Sequence, residues 1–273
     1  VAETHSAPFY ADGHLLFIYE GILMAQPFDP DSGRVTGLAL PLAVGLHWDE
    51  WTAEAAVTAT SGGLLAYRLA NTPPHELAWF TLGSMNRETV GGLGDVHEAR
   101  RSPDGRRIAA TLRDPATGMD NIWVTGTDGG APQRLTEHPA SDNSPVWTPD
   151  GSSIVFRSNR TGLYNLYQRD LDVQGDGERE RLLLESTVDD QPTDASAKDN
   201  LLLFNRWSMD TRQDIWALPL AGGAAFPVLA TEFLEANAMF SPDRAWIAYE
   251  TNESGANQVH VRRFPIDSTS VRI

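Results

Sequence analysis

Apolar and polar residues alternate along this chain in short runs, and tight-turn chemistry separates the runs. Ser153-Ile154-Val155-Phe156-Arg157-Ser158 is one such run, led in by Thr148-Pro149-Asp150-Gly151. A two-residue period bounded by Pro, Asp and Gly predicts a half-buried strand after a tight turn. The same phrase stands at Ser102-Pro103-Asp104-Gly105 before Arg106-Arg107-Ile108-Ala109, and at Ser241-Pro242-Asp243-Arg244 before Ala245-Trp246-Ile247-Ala248. Weaker copies are Ala11-Asp12-Gly13, Ser61-Gly62-Gly63 and Ala197-Lys198-Asp199-Asn200. The glycine-equivalent positions are 13, 63, 105, 151, 199 and 244, separated by 50, 42, 46, 48 and 45 residues.

Each copy reads as a short strand, the turn, an alternating strand, a polar turn such as Asn159-Arg160-Thr161-Gly162, a third strand and a short fourth one. Third strands carry Ile122-Trp123, Leu166-Tyr167 and Ile215-Trp216, and Gln133-Arg134-Leu135-Thr136 is a fourth strand. Asp-Gly and Asn-x-x-Gly supply the positive φ that such connections require. Four strands in about 45 residues is the period of a β-propeller blade. The expected fold is all-β, a six-bladed β-propeller with four antiparallel strands per blade, in one domain over residues 1–273. The expected blades are roughly 1–45, 46–93, 94–138, 139–186, 187–232 and 233–273. Residues 268–273 are assigned to the outer strand of the sixth, so no blade should mix the two termini. Ile108, Ile154, Leu202 and Ile247 are equivalent and should be buried, as should Trp123, Leu166, Trp216 and Val259.

On these residues the chain resembles the TolB-like (WD40-like) propeller repeats. It resembles most the propeller that follows the kinase domain in bacterial serine/threonine kinases. Gly21-Ile22-Leu23-Met24-Ala25-Gln26-Pro27-Phe28-Asp29-Pro30 is similar to the family's first-blade run, and Asn143-Ser144-Pro145-Val146-Trp147 to its central strand. Phe240-Ser241-Pro242-Asp243, Thr251-Asn252-Glu253-Ser254-Gly255 and Val261-Arg262-Arg263-Phe264-Pro265 are similar to a last blade. The resemblance implies a sensing or protein-binding platform in a periplasmic or otherwise extracytoplasmic setting. The kinase domain is absent from this sequence, so no kinase activity is expected of it. Ala197-Lys198-Asp199 in place of Pro-Asp-Gly, and Ala195 in place of a Trp, predict an irregular fifth blade.

Composition narrows the partners. Lys and Arg number 21 against 37 Asp and Glu, a net charge of −16. Nucleic-acid binders need a basic face to release counterions, so nucleic acid and anionic membrane are disfavoured. With no Cys, disulfides, thiolate metal sites and Cys nucleophiles are excluded. No apolar run is long enough for a transmembrane helix. No charged-then-apolar leader stands at Val1, which reads as a removed leader or a piece of a longer protein.

The first strand of a blade lines a propeller's channel. Aligning the copies places His5, Ala55, His97, Asn143, Gln191 and Ala236 at one position and Thr4, Glu54, Val96, Asp142, Asp190 and Glu235 one residue earlier. Converging carboxylates repel one another and must take up protons, water or a cation. His5, His97, His47 and Asp190 are therefore candidate ligands of a divalent ion such as Zn, Mn or Ca, and Glu54, His97, Asp142 and Glu235 candidate acid–base groups. Asp49 and Glu50 follow His47, with Glu98 and His138 near the same end. Trp48, Trp51, Glu98 and Asn143 are candidate ligand contacts. The plainer reading is a solvated polar funnel. No Gly-x-Ser-x-Gly elbow or phosphate loop is present. Asp170, Asp172, Asp176 and Glu178 lack EF-hand spacing and read as a solvated hairpin. Asn159-Arg160-Thr161 and Asn252-Glu253-Ser254 match glycosylation sequons but sit in turns. Three functions fit: a ligand- or protein-binding or sensor propeller, a metal-dependent ester or phosphotriester hydrolase at the channel mouth, and a bare scaffold.

Overall fold

The structure is a computed structural model. It describes residues 2–3, 8–19, 22–44, 48–49, 54–55, 57–59, 64–67, 77–81, 87–90, 93, 96–114, 116–171, 180–196, 198 and 200–265. Two compact units divide the chain: Gly45–Pro192, and Val1–Val44 with Thr193–Ile273. Among the described residues every regular element is a strand, and no helix is long and apolar enough to cross a membrane.

In the Gly45–Pro192 unit, three meanders of four antiparallel strands follow one another. The first runs through Val57–Ala59, Leu64–Tyr67, Leu77–Thr81 and Arg87–Val90, the second through Val96–Arg101, Arg107–Arg113, Asp120–Gly126 and Gln133–Arg134. Asp142–Trp147, Ser153–Ser158, Asn165–Asp170 and Glu180–Leu184 make the third. Trp48–Asp49 and Glu54–Ala55 form a separate two-stranded ribbon. A fourth meander starts with Asp190–Ser196 at the unit boundary and continues through Leu201–Ser208, Arg212–Pro219 and Phe226–Leu229.

The six-blade expectation is corrected here. Among the described residues five sheets have four strands each, and residues 9–44 form an irregular five-stranded sheet, so the regular blades number five there, not six. Strand Ile22–Asp29 meets Arg34–Val35 at Phe28 and Asp29, and meets Leu40–Val44 along Ile22 to Ala25. Pro27 explains the broken outer edge. It lacks the ladder N–H, its carbonyl accepts the Thr36 N–H (2.9 Å), and its ring lies against Gly37, where a Cβ would come within 3.1 Å of it. The closure expectation also fails: Ala2 and Glu3 pair with Val259 and Gln258, so one sheet holds strands from both termini. Ala2–Glu3 takes the edge assigned to 268–273, residues outside those described. In the fifth repeat Leu201–Ser208 pairs with Arg212–Pro219 without a register shift, whereas Arg212–Pro219 meets Phe226–Leu229 with one between Ile215 and Trp216; Ala197 and Asp199 lie outside the described residues.

The repeated turn is a side-chain device. Asp104 Oδ1 accepts from the Ser102 hydroxyl (2.6 Å) and the Arg106 N–H (3.0 Å), and Ser102 Oγ accepts from the Arg107 N–H (2.9 Å). Thr148 with Asp150, and Ser241 with Asp243, repeat the pattern. The hydroxyl bond first, then the backbone N–H, holds the Asp104 and Asp243 carboxyls below their ordinary range. Gly105 and Gly151 take the left-handed φ, which Arg244 takes in the last copy and Asn200, one residue past the expected position, in the fifth.

Packing goes beyond the expected half-buried alternation: the second strands are buried on both faces, with Ile154, Val155 and Phe156, and Leu202, Leu203 and Phe204, all inaccessible. Ile108, Ile154, Leu202 and Ile247 are all fully buried, as are Leu166 and, nearly so, Val259. Trp123 and Trp216 are only half-buried. Their neighbours Ile122 and Ile215 fill the core instead, whereas Tyr167, the aromatic at the equivalent place, is buried together with Leu166. Leu203, Ile215, Ala217, Leu229, Ala238, Ile247 and Tyr249 form one buried cluster, whereas the sheet of residues 9–44 meets its neighbour through Leu15, Phe28 and Ala248. A cavity of about 340 Å³ lies beside that thin contact, lined by Leu15, Phe17, Phe28, Val259 and Val261 among others. Within this unit, backbone amides of residues 9–29 are expected to exchange with deuterium before those of Leu201–Ser208 and Trp246–Thr251. The reverse order would show that the thin contact is not the weak point.

Candidate functional site

Val96, Asp142, Asp190 and Glu235 each open the first strand of a sheet, as the alignment of copies requires. Beyond that point three of these strands carry a register shift, between Val96 and Glu98, Asn143 and Val146, and Ala236 and Met239. Ser144 (φ 55°) and Asn237 (φ 57°) sit in the last two shifts in the left-handed region. A bulge there re-aims the side chains around it. Two polar clusters result, one in each unit.

In the Gly45–Pro192 unit, Asn143 Oδ1 accepts a short hydrogen bond from Arg157 Nε, and Arg157 Nη1 donates to Gln191 Oε1 at 3.3 Å. The guanidinium carbon stands 4.7 Å from the Tyr164 ring centre. Ser144 Oγ donates to Glu98 Oε1 at 3.3 Å. Asn143, Ser144, Gln191 and Glu98 are buried and Arg157 is half-buried. Arg157 was missed in the sequence, although it pairs directly with Asn143 across the hairpin. In the other unit, Asn205 and Asn237 bond reciprocally: Asn205 Nδ2 donates to Asn237 Oδ1 (2.9 Å) and the Asn237 N–H to Asn205 Oδ1 (2.8 Å). Asn237 Nδ2 donates to Glu250 Oε2 at 3.3 Å.

Two of the carboxylates named as acid–base candidates, Asp142 and Glu235, have local partners. Asp142 is fully buried and accepts from Arg160 Nη2 at 3.1 Å, while Arg160 Nη1 holds Glu180 at 2.7 Å. Burial pushes the Asp142 carboxyl up, opposed by the Ser158 hydroxyl and Arg160. Glu235 accepts from the Thr231 hydroxyl in a short bond and from the Thr231 N–H at 3.0 Å. Burial raises it too, with Thr231 opposing. Asp190 is buried, and its N–H donates to the Tyr164 carbonyl (2.8 Å). His97 is half-buried on Val96–Arg101. His138 is exposed, its Nδ1 accepting from the Ala140 N–H. Trp48 and Glu54 are placed only as backbone in the ribbon. His5, His47, Glu50 and Trp51 lie outside the described residues. Among the described residues no group of three His, Asp or Glu side chains could hold a metal ion.

Glu250 was missed because nothing in Tyr249-Glu250-Thr251 marks it. It is almost wholly buried, and desolvation lifts its carboxyl from 4.5 to about 7, against the amides of Asn237 and Asn257. With the folded pKa raised, its contribution is full below the ordinary carboxylate range and is lost as pH rises through about 7. Glu250→Gln keeps the shape and removes the charge. It is expected to raise stability at pH 8 by about 3 kcal/mol relative to wild type, and by much less at pH 5. Equal effects at both pH values in urea titrations would refute the shift.

Comparison with known proteins places these features. The model of the TolB beta propeller domain matches residues 59–268. The Tol-Pal system protein TolB of Bordetella pertussis (strain Tohama I) is 40% identical over 55 residues, 20% of this chain and 13% of that protein. The chain thus matches only about an eighth of that relative's length. The crystal structure of TolB from Acinetobacter baumannii superposes with a TM-score of 0.67 at 17% identity, covering 90% of this chain and 59% of that one. An oligogalacturonate lyase in complex with manganese superposes with a TM-score of 0.57 at 14% identity, over 96% of this chain and 77% of that one. At these identities the structures share the fold.

Proposed function

This chain belongs to the TolB β-propeller family, and from that premise we propose that it is a binding or sensor propeller, engaging a protein or small-molecule ligand at the ends of its first strands. One observation carries the reading. The acids best placed for chemistry, Asp142 and Glu235, are committed to Arg160 and Thr231, while Arg157, half-buried in the Gly45–Pro192 unit, is a guanidinium held by two neutral amides. Such a group recognises and does not activate water. The curated relative's name, a Tol-Pal system protein, accords with a protein partner, and family membership with a place outside the cytoplasm.

A metal-dependent hydrolase would use His97 and Asp190 with His5 and His47, on an ester or phosphotriester polarised by a divalent ion. Metal content of protein purified without a His tag, followed by turnover of activated esters and phosphotriesters with and without chelator, separates the two. The binding reading expects turnover indistinguishable from buffer and insensitive to chelator. Chelator-sensitive hydrolysis lost in His97→Ala would replace it with the enzyme.

A further inference from the structure

Arg157 differs from the two arginines that follow it in the same sheet, Arg160 and Arg169. Arginines near it are neutralised: Arg160 by Asp142 and Glu180, and Arg169 by Glu180 at 2.7 Å. Arg157 makes no such pair among the described residues. Its side chain is instead fixed by uncharged groups, Asn143 Oδ1 on Nε, Gln191 Oε1 on Nη1 and the Tyr164 ring against the guanidinium plane. Asn143 and Gln191 are themselves more than nine-tenths buried, and a chain of net charge −16 has no shortage of carboxylates to place there. Amide oxygens orient a guanidinium without spending its charge. Its remaining N–H groups form the planar fork that matches a carboxylate.

We propose that Arg157, seated by Asn143, Gln191 and Tyr164, is a recognition subsite for a carboxylate of the bound partner. The proposal rests on the binding reading above and adds the chemical class of the group recognised. The carboxylate oxygens accept two N–H bonds from the guanidinium edge that Asn143 leaves open, and the Tyr164 ring screens the cation's face from water. Preorganisation matters here, since little side-chain freedom remains to be lost when the ligand arrives.

Glutarate, its neutral diamide glutaramide and inorganic phosphate serve as probes of the full chain, followed by chemical-shift changes of labelled arginine Nε–H groups at constant ionic strength. Glutarate is expected to shift the Arg157 resonance saturably, glutaramide not to shift it, and phosphate to bind more weakly than glutarate. Arg157→Gln should weaken glutarate binding, followed on backbone amides of Asp142–Trp147, by about tenfold or more. Arg157→Lys, which keeps the charge and loses the fork, should fall between, and melting curves of both variants establish that they fold. An unshifted resonance with glutarate, equal response to glutaramide, tighter binding of phosphate, or wild-type affinity in Arg157→Gln each overturns the proposal. Hydrolysis in the chelator assay would overturn the binding reading and leave this titration unaffected, so the two failures are distinguishable.

Discussion

Arg160→Ala should destabilise the protein by about 3–5 kcal/mol, the cost of stripping the partner from a buried charge. Arg160 closes a three-way contact within one sheet. It donates to Asp142, whose side chain is 0% exposed, and to Glu180, and its guanidinium carbon lies 4.3 Å from the Tyr167 ring centre. Alanine leaves Asp142 buried without its counter-charge and removes apolar cover from Phe156 and Tyr167. Asp142 then has one remedy, to take up a proton, which its upward-shifted carboxyl already favours. The loss should therefore be larger at pH 8 than at pH 5. Urea titration of wild type and variant at both pH values checks this. A loss below about 1 kcal/mol, the range of exposed ion pairs, would mean that the contact is solvated and structurally idle.

Ile154→Ala carries the second large effect, about 2–5 kcal/mol. Ile154 is fully buried in a cluster with Ala109, Ile122, Trp147, Phe156 and Tyr167, drawn from two adjacent sheets of one unit. Deleting its outer carbons opens a void between them. Trp147 resists collapse into that void, because its indole N–H donates to the Arg100 carbonyl at 2.9 Å and Arg107 stacks on its ring. Ile154→Val should cost about 1 kcal/mol. Equal melting temperatures for the alanine variant and wild type would place Ile154 on the wrong face of its strand.

Much of the fold could be read from local chemistry. The Pro-Asp-Gly turns recur because one Asp oxygen, one hydroxyl and one left-handed residue suffice to build them, all within six residues of sequence. Buried Ile108, Ile154, Leu202 and Ile247 stand at one place after each turn, although the half-buried alternation expected around them does not hold, since Ala109, Val155 and Leu203 beside them are buried too. The misses share a different cause. Pro27 and Gly37 break an outer strand together, yet they are ten residues apart and neither alone signals it. Ala2–Glu3 joins Gln258–Arg263 from the far end of the chain, a pairing that no repeat period encodes. Ile122 and Ile215 take the buried place because successive strand residues point to opposite faces, which turns Trp123 and Trp216 to the other side.

For the candidate site, alignment of copies found the strand starts at Asp142, Asp190 and Glu235 and the amides Asn143 and Gln191. Chemistry was harder to read than position. An acid's role depends on what faces it, and Arg160 faces Asp142 from the next hairpin while Thr231 faces Glu235 from the preceding turn. Composition alone presents those acids as open to a metal or a proton transfer. Arg157, Asn205, Asn237 and Glu250 stayed hidden because their roles come from bulges and cross-strand partners, not from a spacing.

Site-specific photocrosslinking tests the central claim most directly. A photoreactive residue is placed at half-buried His97, at the start of the first strand Val96–Arg101, and in a parallel variant at Leu182, 43% exposed on an outer strand. The variants are irradiated in the native host. A binding propeller that works through its first-strand ends gives a discrete crosslinked partner from position 97 and none from 182, unchanged by chelator. A partner captured only from position 182, with position 97 silent in folded protein, would contradict that claim.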